Sequence, residues 1–168
     1  MEISMYVASV PVLIRGLNNL VDILKKAEAY TEKLGLKEEV LVESRLFPNM
    51  LPLKSQVYIA SDTAKGCGAR LAAMTPPAFE DTEKTFPELI ARVHKTIAFL
   101  ETLGPDQIDG SEERTIVLQL RTSERTFNGM PYLLHYALPN FFFHITTAYD
   151  ILRHNGVPLG KSDYLGQQ

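Results

Sequence analysis

Apolar residues that recur every three or four positions constrain this chain more than any other feature of its sequence. From Val10 to Ala27 the apolar positions alternate steps of three and four, which places them along one face of a helix. Lys33 in the last turn and Gly35 just beyond it are typical of a helix end. The pattern therefore predicts a long amphipathic first helix that buries one face.

Three further stretches repeat this period. They predict a second helix over residues 53–74, a third from Phe86 to the Gly104-Pro105 pair, and a fourth over residues 130–154. Residues 36–52 contain two prolines and predict a long crossover with one short helical turn at 38–44. Four long helices joined by one long crossover favour a four-helix bundle.

From Glu112 the hydrophobic period changes to two. Residues 115–120 alternate, residues 121–124 turn, and residues 125–127 return, which together predict a small β-hairpin. Two strands alone are marginal in water, so the hairpin must pack on the helices. We therefore predict one all-α domain over residues 1–168, a four-helix bundle with a long crossover and a small β-hairpin between helices three and four.

Composition limits the functions open to such a bundle. The chain has 168 residues, 45% hydrophobic and 22% charged, with a net charge of −3, so we expect neither a nucleic-acid nor a membrane partner. No apolar run reaches the ~18 residues of a spanning helix. The single Cys67 excludes an intramolecular disulfide and a paired-cysteine metal motif, and it favours a cytoplasmic location.

Polar residues on the fourth helix are the candidates for chemistry. His144 falls in register with the apolar row of this helix, and extending the apolar seam back by three residues places His135 on the core-facing stripe. Asn140 lies one turn before His144, and Tyr149 adds a hydroxyl further along. Pro139 predicts a kink or a local widening between the two histidines. We interpret His144, His135 and Tyr149 as candidate catalytic residues.

The second helix supplies candidate partners for this row. Gln56 borders its apolar seam and Asp62 lies nearer the flank, so both are candidate substrate-binding residues together with Asn140. Gly66 and Gly68 interrupt the same helix, where each glycine costs roughly 1 kcal/mol relative to alanine. Either a neighbouring helix approaches closely there or the glycines leave room for a ligand, and we favour the close approach.

The ordinary alternative for a lone inward histidine is a core residue whose ring nitrogens are hydrogen-bonded. His135 and His144 lie about 13.5 Å apart along a straight helix, too far to share one metal ion. We expect His94 on a solvated flank and His154 at a helix end. Common nucleotide-binding and hydrolase motifs are absent from the sequence.

The run from Pro139-Asn140 to His144 and the later Leu-Arg-His-Asn-Gly-Val-Pro-Leu-Gly segment at 152–160 resemble a domain-of-unknown-function family in the DinB/YfiT-like superfamily. Residues 8–11, 56–66 and 79–82 are similar to the same family, so the resemblance spans nearly the whole chain. It implies a four-helix bundle, a homodimer, and a superfamily that includes thiol-dependent transferases and isomerases.

Many members of that superfamily hold a divalent metal with three histidines, two of them an HxxxH pair on the last helix. In register, His144 stands at the second position of the pair, but Asn140 stands at the first, and the second helix has no histidine. His144 is therefore the best metal candidate, and zinc or nickel would need weaker oxygen ligands from Asn140, Gln56 or Asp62. We favour the interpretation without a metal.

Three functions follow from these patterns. The first is a bundle that binds a small organic molecule in an internal pocket, with His144 or His135 as acid or base and with Asn140 and Tyr149 orienting the substrate. The second is a metal-dependent transferase or isomerase with a degenerate site. The third is a non-catalytic dimerisation module with satisfied core histidines.

Overall fold

The computed structural model describes residues 3–119 and 123–166 and contains four long helical stretches. The α-helices are Met5–Leu34 (α1), Glu38–Val42 (α2), Leu53–Leu71 (α3), Phe86–Leu100 (α4), Pro105–Ile108 (α5), Gly129–Tyr132 (α6), Leu138–His154 (α7) and Lys161–Leu165 (α8). A π-helical turn, Leu133–Ala137, joins α6 to α7. The strands Thr115–Gln119 (β1) and Glu124–Asn128 (β2) pair antiparallel, with Thr115 opposite Asn128.

The predicted all-α architecture with one small hairpin is confirmed. Helix α3 packs between α7 and α4, and α1 packs against α4 and α7 from the other side. The short helix α2 falls in the long crossover, where a helical turn was predicted at 38–44. Of the hairpin turn predicted at 121–124, residues 121 and 122 lie outside the described residues.

Local capping sets the helix ends. The Ser4 hydroxyl accepts from Val7 N at the start of α1, and Gly35 closes it with φ of 64°. At the start of α4, Thr85 and Glu88 form a reciprocal capping box. Helix α3, the second of the four predicted long helices, was expected to reach residue 74. It ends at Leu71 because Ala73 turns into the left-handed region with φ of 56°.

The core lies between the apolar faces that the sequence periodicity predicted. On α3 the seam residues Val57, Ala60, Ala64, Cys67 and Leu71 are completely buried. A Cβ atom on Gly68 would lie 2.7 Å from side-chain carbons of both Leu100 and Leu103. Gly68 therefore permits the close approach of the segment at the end of α4, as we expected.

The fourth helical stretch widens before Pro139, as predicted. Leu138 N–H donates to the Leu133 carbonyl, five residues back, which is the π-helical spacing. Pro139 has no N–H and cannot donate an α-helical hydrogen bond. The wider turn just before it accommodates this missing donor. The extra residue in the turn rotates everything before it, so His135 is exposed and the prediction that it faces the core is wrong.

Beyond the π-helical turn the helical register holds. Phe141, Ala148 and Ile151, the apolar row in register with His144, are completely buried, whereas Phe142 and Tyr149 are only half-buried. This buried row directs the His144 side chain toward α3.

Helix α1 is long and apolar enough to meet a length-and-composition criterion for a membrane span. Half of its most apolar window is buried inside the bundle. Leu13, Leu17 and Leu24 are completely buried there, which is the behaviour of a core helix.

Candidate functional site

The α3–α7 interface holds a hydrogen-bonded pair of polar side chains. His144 is 9% exposed, and its Nδ1 lies 2.7 Å from Gln56 Oε1. The other end of the amide is also fixed, because Gln56 Nε2 donates to the Leu51 carbonyl at 2.9 Å. The crossover before α3 thereby holds the amide, and the amide holds the imidazole.

This chain of bonds determines the tautomer of His144. If the Gln56 amide were turned over, its oxygen would face the Leu51 carbonyl oxygen, and two acceptors would meet. The oxygen must therefore face His144, and His144 Nδ1 must carry the proton that it donates. Nε2 is then the unprotonated nitrogen, with its lone pair free.

The surroundings keep this imidazole neutral. Burial lowers the pKa of His144 below its ordinary value, since desolvation disfavours the charged ring. Within residues 3–119 and 123–166, Nε2 has no hydrogen-bond partner. It is not cut off from solvent either, because the buried side-chain atoms without a partner are Arg92 Nε and Ser111 Oγ. The result is a neutral acceptor at the edge of a helix interface.

Asn140 lies one helical turn before His144 and also contacts α3. Its Nδ2 donates to Thr63 Oγ1 at 2.8 Å. Thr63 lies seven residues after Gln56, so the two stand on one face of α3 and meet the two residues of α7 in antiparallel order. The Phe143 ring, 57% exposed, packs edge-on against His144 at 5.2 Å between centroids.

Asp62 does not join this group, although it was predicted to bind substrate with Gln56. Its carboxylate is paired with Lys65 at 2.7 Å and with Arg92 at 3.1 Å, on the side of α3 that faces α4. Asp81 and Glu83, from the linker between α3 and α4, complete the set of carboxylates around Arg92, at 2.9 and 3.2 Å. Asp62 is therefore held by a structural ion cluster.

The two other candidate catalytic residues, His135 and Tyr149, do not join His144 either. His135 is exposed on the π-helical turn, and the half-buried Tyr149 packs edge-on against Tyr164 at 6.1 Å. Burial raises the pKa of the Cys67 thiol to about 12, which leaves it protonated and unreactive. His94 is exposed, as expected.

The donor set around His144 does not fit the metal that the superfamily resemblance implied. The Gln56 amide is hydrogen-bonded to His144 and to the Leu51 carbonyl. The Asp62 carboxylate is paired with Arg92 on another face of α3. In the described part of the chain, no group of three or more His, Cys, Asp or Glu residues is placed to hold an ion. One imidazole nitrogen with neutral amides is a poor site for zinc or nickel.

Sequence reasoning missed Thr63, the Leu51 carbonyl and Arg92. The spacing of seven from Gln56 was a usable signal for Thr63. A backbone carbonyl carries no sequence signal. Arg92 is buried on α4, whereas an arginine in a sequence is ordinarily taken to be exposed.

Helix order, the crossover and the inserted hairpin are those of a DinB-like domain, as the comparison with a solved structure shows. Among solved structures, the chain is similar to a DinB family member protein from Shewanella denitrificans, with 38% identity, a TM-score of 0.88, and coverage of 97% of this chain and 92% of that chain. Residues 5–165 match the family model described as "Domain of unknown function (DUF1993)", and the chain belongs to this family. No curated protein matches the sequence.

Proposed function

We propose that the protein binds a small organic molecule at the α3–α7 interface and that His144 acts on it as an acid–base group through Nε2. The observation that carries the proposal is the fixed tautomer, since Gln56 holds Nδ1 as a donor and leaves Nε2 free. A neutral imidazole with an open nitrogen accepts a proton or a hydrogen bond at pH 7. His135 takes no part, because it is exposed on the π-helical turn.

The neighbouring groups restrict the ligand to a hydrogen-bond donor with an apolar part. The amide of Asn140 gives one N–H to Thr63, and its oxygen remains an acceptor one helical turn from His144. Phe143 supplies an exposed aromatic surface beside the imidazole. A molecule with an O–H, S–H or N–H group next to an apolar ring or chain suits this arrangement.

The site differs from the internal pocket that the sequence suggested. His144 sits at the edge of a helix interface, and a cavity of about 860 Å³ lies elsewhere, between α1 and α8. Binding would therefore occur at the edge of the α3–α7 interface, next to the exposed Phe143 ring. This favours a small ligand of modest affinity over a large enclosed one.

Binding of benzyl alcohol, benzyl mercaptan and benzylamine, followed by NMR on protein labelled with ¹⁵N-histidine, tests the proposal. We expect at least one of them to shift the His144 Nε2 resonance, and we expect toluene, which has no donor, to leave it unchanged. The variant His144→Ala should lose the binding, and His94→Ala, an exposed histidine on α4, should keep it. Equal binding by His144→Ala, or no response to any of the three donors, would refute the proposal.

A further inference from the structure

A second cavity lies between α1, α7 and α8. It measures about 220 Å³, and Val12, Gly16, Phe142 and Ile145 form its apolar wall. At Gly16 a Cβ atom would lie 2.6 Å from the Phe141 ring, so glycine is needed for this helix contact. This cavity lies between α7, α1 and α8, whereas the His144 site lies between α7 and α3.

Helix α8 covers this cavity and is held mainly by polar contacts. It has no buried residue. The backbone carbonyls of Leu165 and Tyr164 accept from Arg15 Nη2 at 3.1 Å and from Asn19 Nδ2 at 2.9 Å. A five-residue helix that buries so little is among the first parts of a fold to open.

Two side-chain contacts complete the attachment of α8. Asp163 pairs with Lys26 at 2.6 Å, and the pair is partly exposed. The Tyr164 hydroxyl accepts from Thr146 at 3.0 Å, and its ring packs on Tyr149. The placement of Tyr149, which was predicted to be catalytic, is thereby explained as part of the support for this cover.

Opening of α8 would expose two hydrogen-bond donors at the cavity edge. Arg15 has no carboxylate within ion-pair distance in the described part of the chain. Its guanidinium donates to the Leu165 backbone carbonyl instead. Asn19 offers its N–H to a second carbonyl one turn further along α1. Arg15 and Asn19 also line the larger cavity of about 860 Å³ on the other side of α8. A cation and an amide N–H next to an apolar cavity suit an anionic head with an apolar tail.

We propose that this cavity binds an amphipathic carboxylate when α8 moves aside. The carboxylate would take the places of the Leu165 and Tyr164 carbonyls on Arg15 and Asn19. The apolar chain would lie against Val12, Phe142 and Ile145. This site and its ligand are independent of the His144 site.

Titration with octanoate, followed by calorimetry and by NMR of the full chain, tests the proposal. We expect octanoate to bind, and we expect both acetate, which has no tail, and octanol, which has no charge, to bind at least about tenfold more weakly. Resonances of α8 should shift on binding. Octanol or acetate binding as well as octanoate would overturn the proposal, as would a failure of octanoate to bind.

Matched variants separate the head, the tail and the cover. Arg15→Gln should weaken octanoate binding about tenfold, and Val12→Phe should abolish it by filling the cavity, while Val7→Phe, an exposed position on the same helix, should leave it unchanged. Asp163→Asn should strengthen binding about two- to fivefold, because it loosens the cover. Unchanged affinity in Arg15→Gln or in Val12→Phe, with native circular dichroism, would refute the assignment.

Discussion

Helix α3 presents polar side chains to two neighbours in opposite ways. Toward α4 and the linker, Asp62 and Lys65 join a cluster in which the Arg92 guanidinium contacts three carboxylates. Toward α7, Gln56 and the hydroxyl of Thr63 make neutral hydrogen bonds. One helix therefore carries an ionic face and a neutral face.

The difference between the two faces shows which of them is available for chemistry. On the ionic face each of the three carboxylates meets the Arg92 guanidinium, and this pairing is what a structural clamp requires. On the neutral face His144 keeps one nitrogen without a partner in the described chain. Charge alone would have directed attention to the wrong side of α3.

The ionic face should show the largest loss of stability when it is broken. The Arg92 side chain is 1% exposed, and Arg92→Met would leave Asp81 and Glu83 without this cation and Asp62 with Lys65 alone. Because Asp62 and Asp81 are about half exposed and can rehydrate, we expect a loss of about 2–3 kcal/mol, below the ~3–5 of a completely buried pair. Urea unfolding measures this loss. Lys95→Met, an exposed cation on the same helix, is the control, and an equal effect of both variants would contradict the clamp.

The neutral face should respond next, and in a different way. Gln56→Ala leaves the buried His144 Nδ1 without its acceptor, so we expect a loss of about 1–2 kcal/mol in the same unfolding experiment. Gln56→Glu should instead raise the pKa of His144, since a carboxylate next to the ring favours its charged form. An NMR titration that found the same His144 pKa in Gln56→Glu and in the parent protein would argue against the contact.

Acid should weaken the neutral face through protonation of His144. Burial lowers the pKa of His144 in the folded protein, so the unfolded chain binds this proton more readily. The contribution of His144 is complete above the unfolded value of about 6.5 and is lost as pH falls toward the folded pKa. Denaturant unfolding between pH 7 and 5 should show a slope that His144→Gln removes and His94→Gln retains. A slope that survives in His144→Gln would contradict this origin.

The smallest effect is expected at the Asn140–Thr63 pair. Both side chains are partly exposed, so their hydrogen bond should contribute about 0.5 kcal/mol. A double-mutant cycle with Asn140→Ala and Thr63→Val isolates this coupling. A coupling above about 2 kcal/mol would mean that the neutral face is as structural as the ionic one.

The comparison also shows where sequence reasoning succeeds. His144 could be placed facing α3 because the helical period runs without interruption from Phe141 to Ile151. The bundle and the hairpin followed from the same period and its change to two, and the crossover followed from the two prolines of residues 36–52. Regular repeats extend correctly for as long as the helix itself is regular.

The failures have equally physical causes. The π-helical turn rotated His135 out of the extrapolated seam, because the turn adds a residue that the period does not count. Asp62 was placed near the flank and grouped with Gln56, because the period of its own helix does not report its partner, Arg92, which comes from another helix and is itself buried. The bond from Gln56 to the Leu51 carbonyl depends on how the crossover packs, which side-chain patterns do not report.

The tautomer of His144 tests the account most directly. Long-range ¹H–¹⁵N correlation NMR on histidine-labelled protein at pH 7 distinguishes the protonated ring nitrogen from the free one. The account predicts a neutral ring with the proton on Nδ1 and an unprotonated Nε2, and it predicts loss of this preference in Gln56→Ala. A proton on Nε2, or a cationic ring at pH 7, would contradict it.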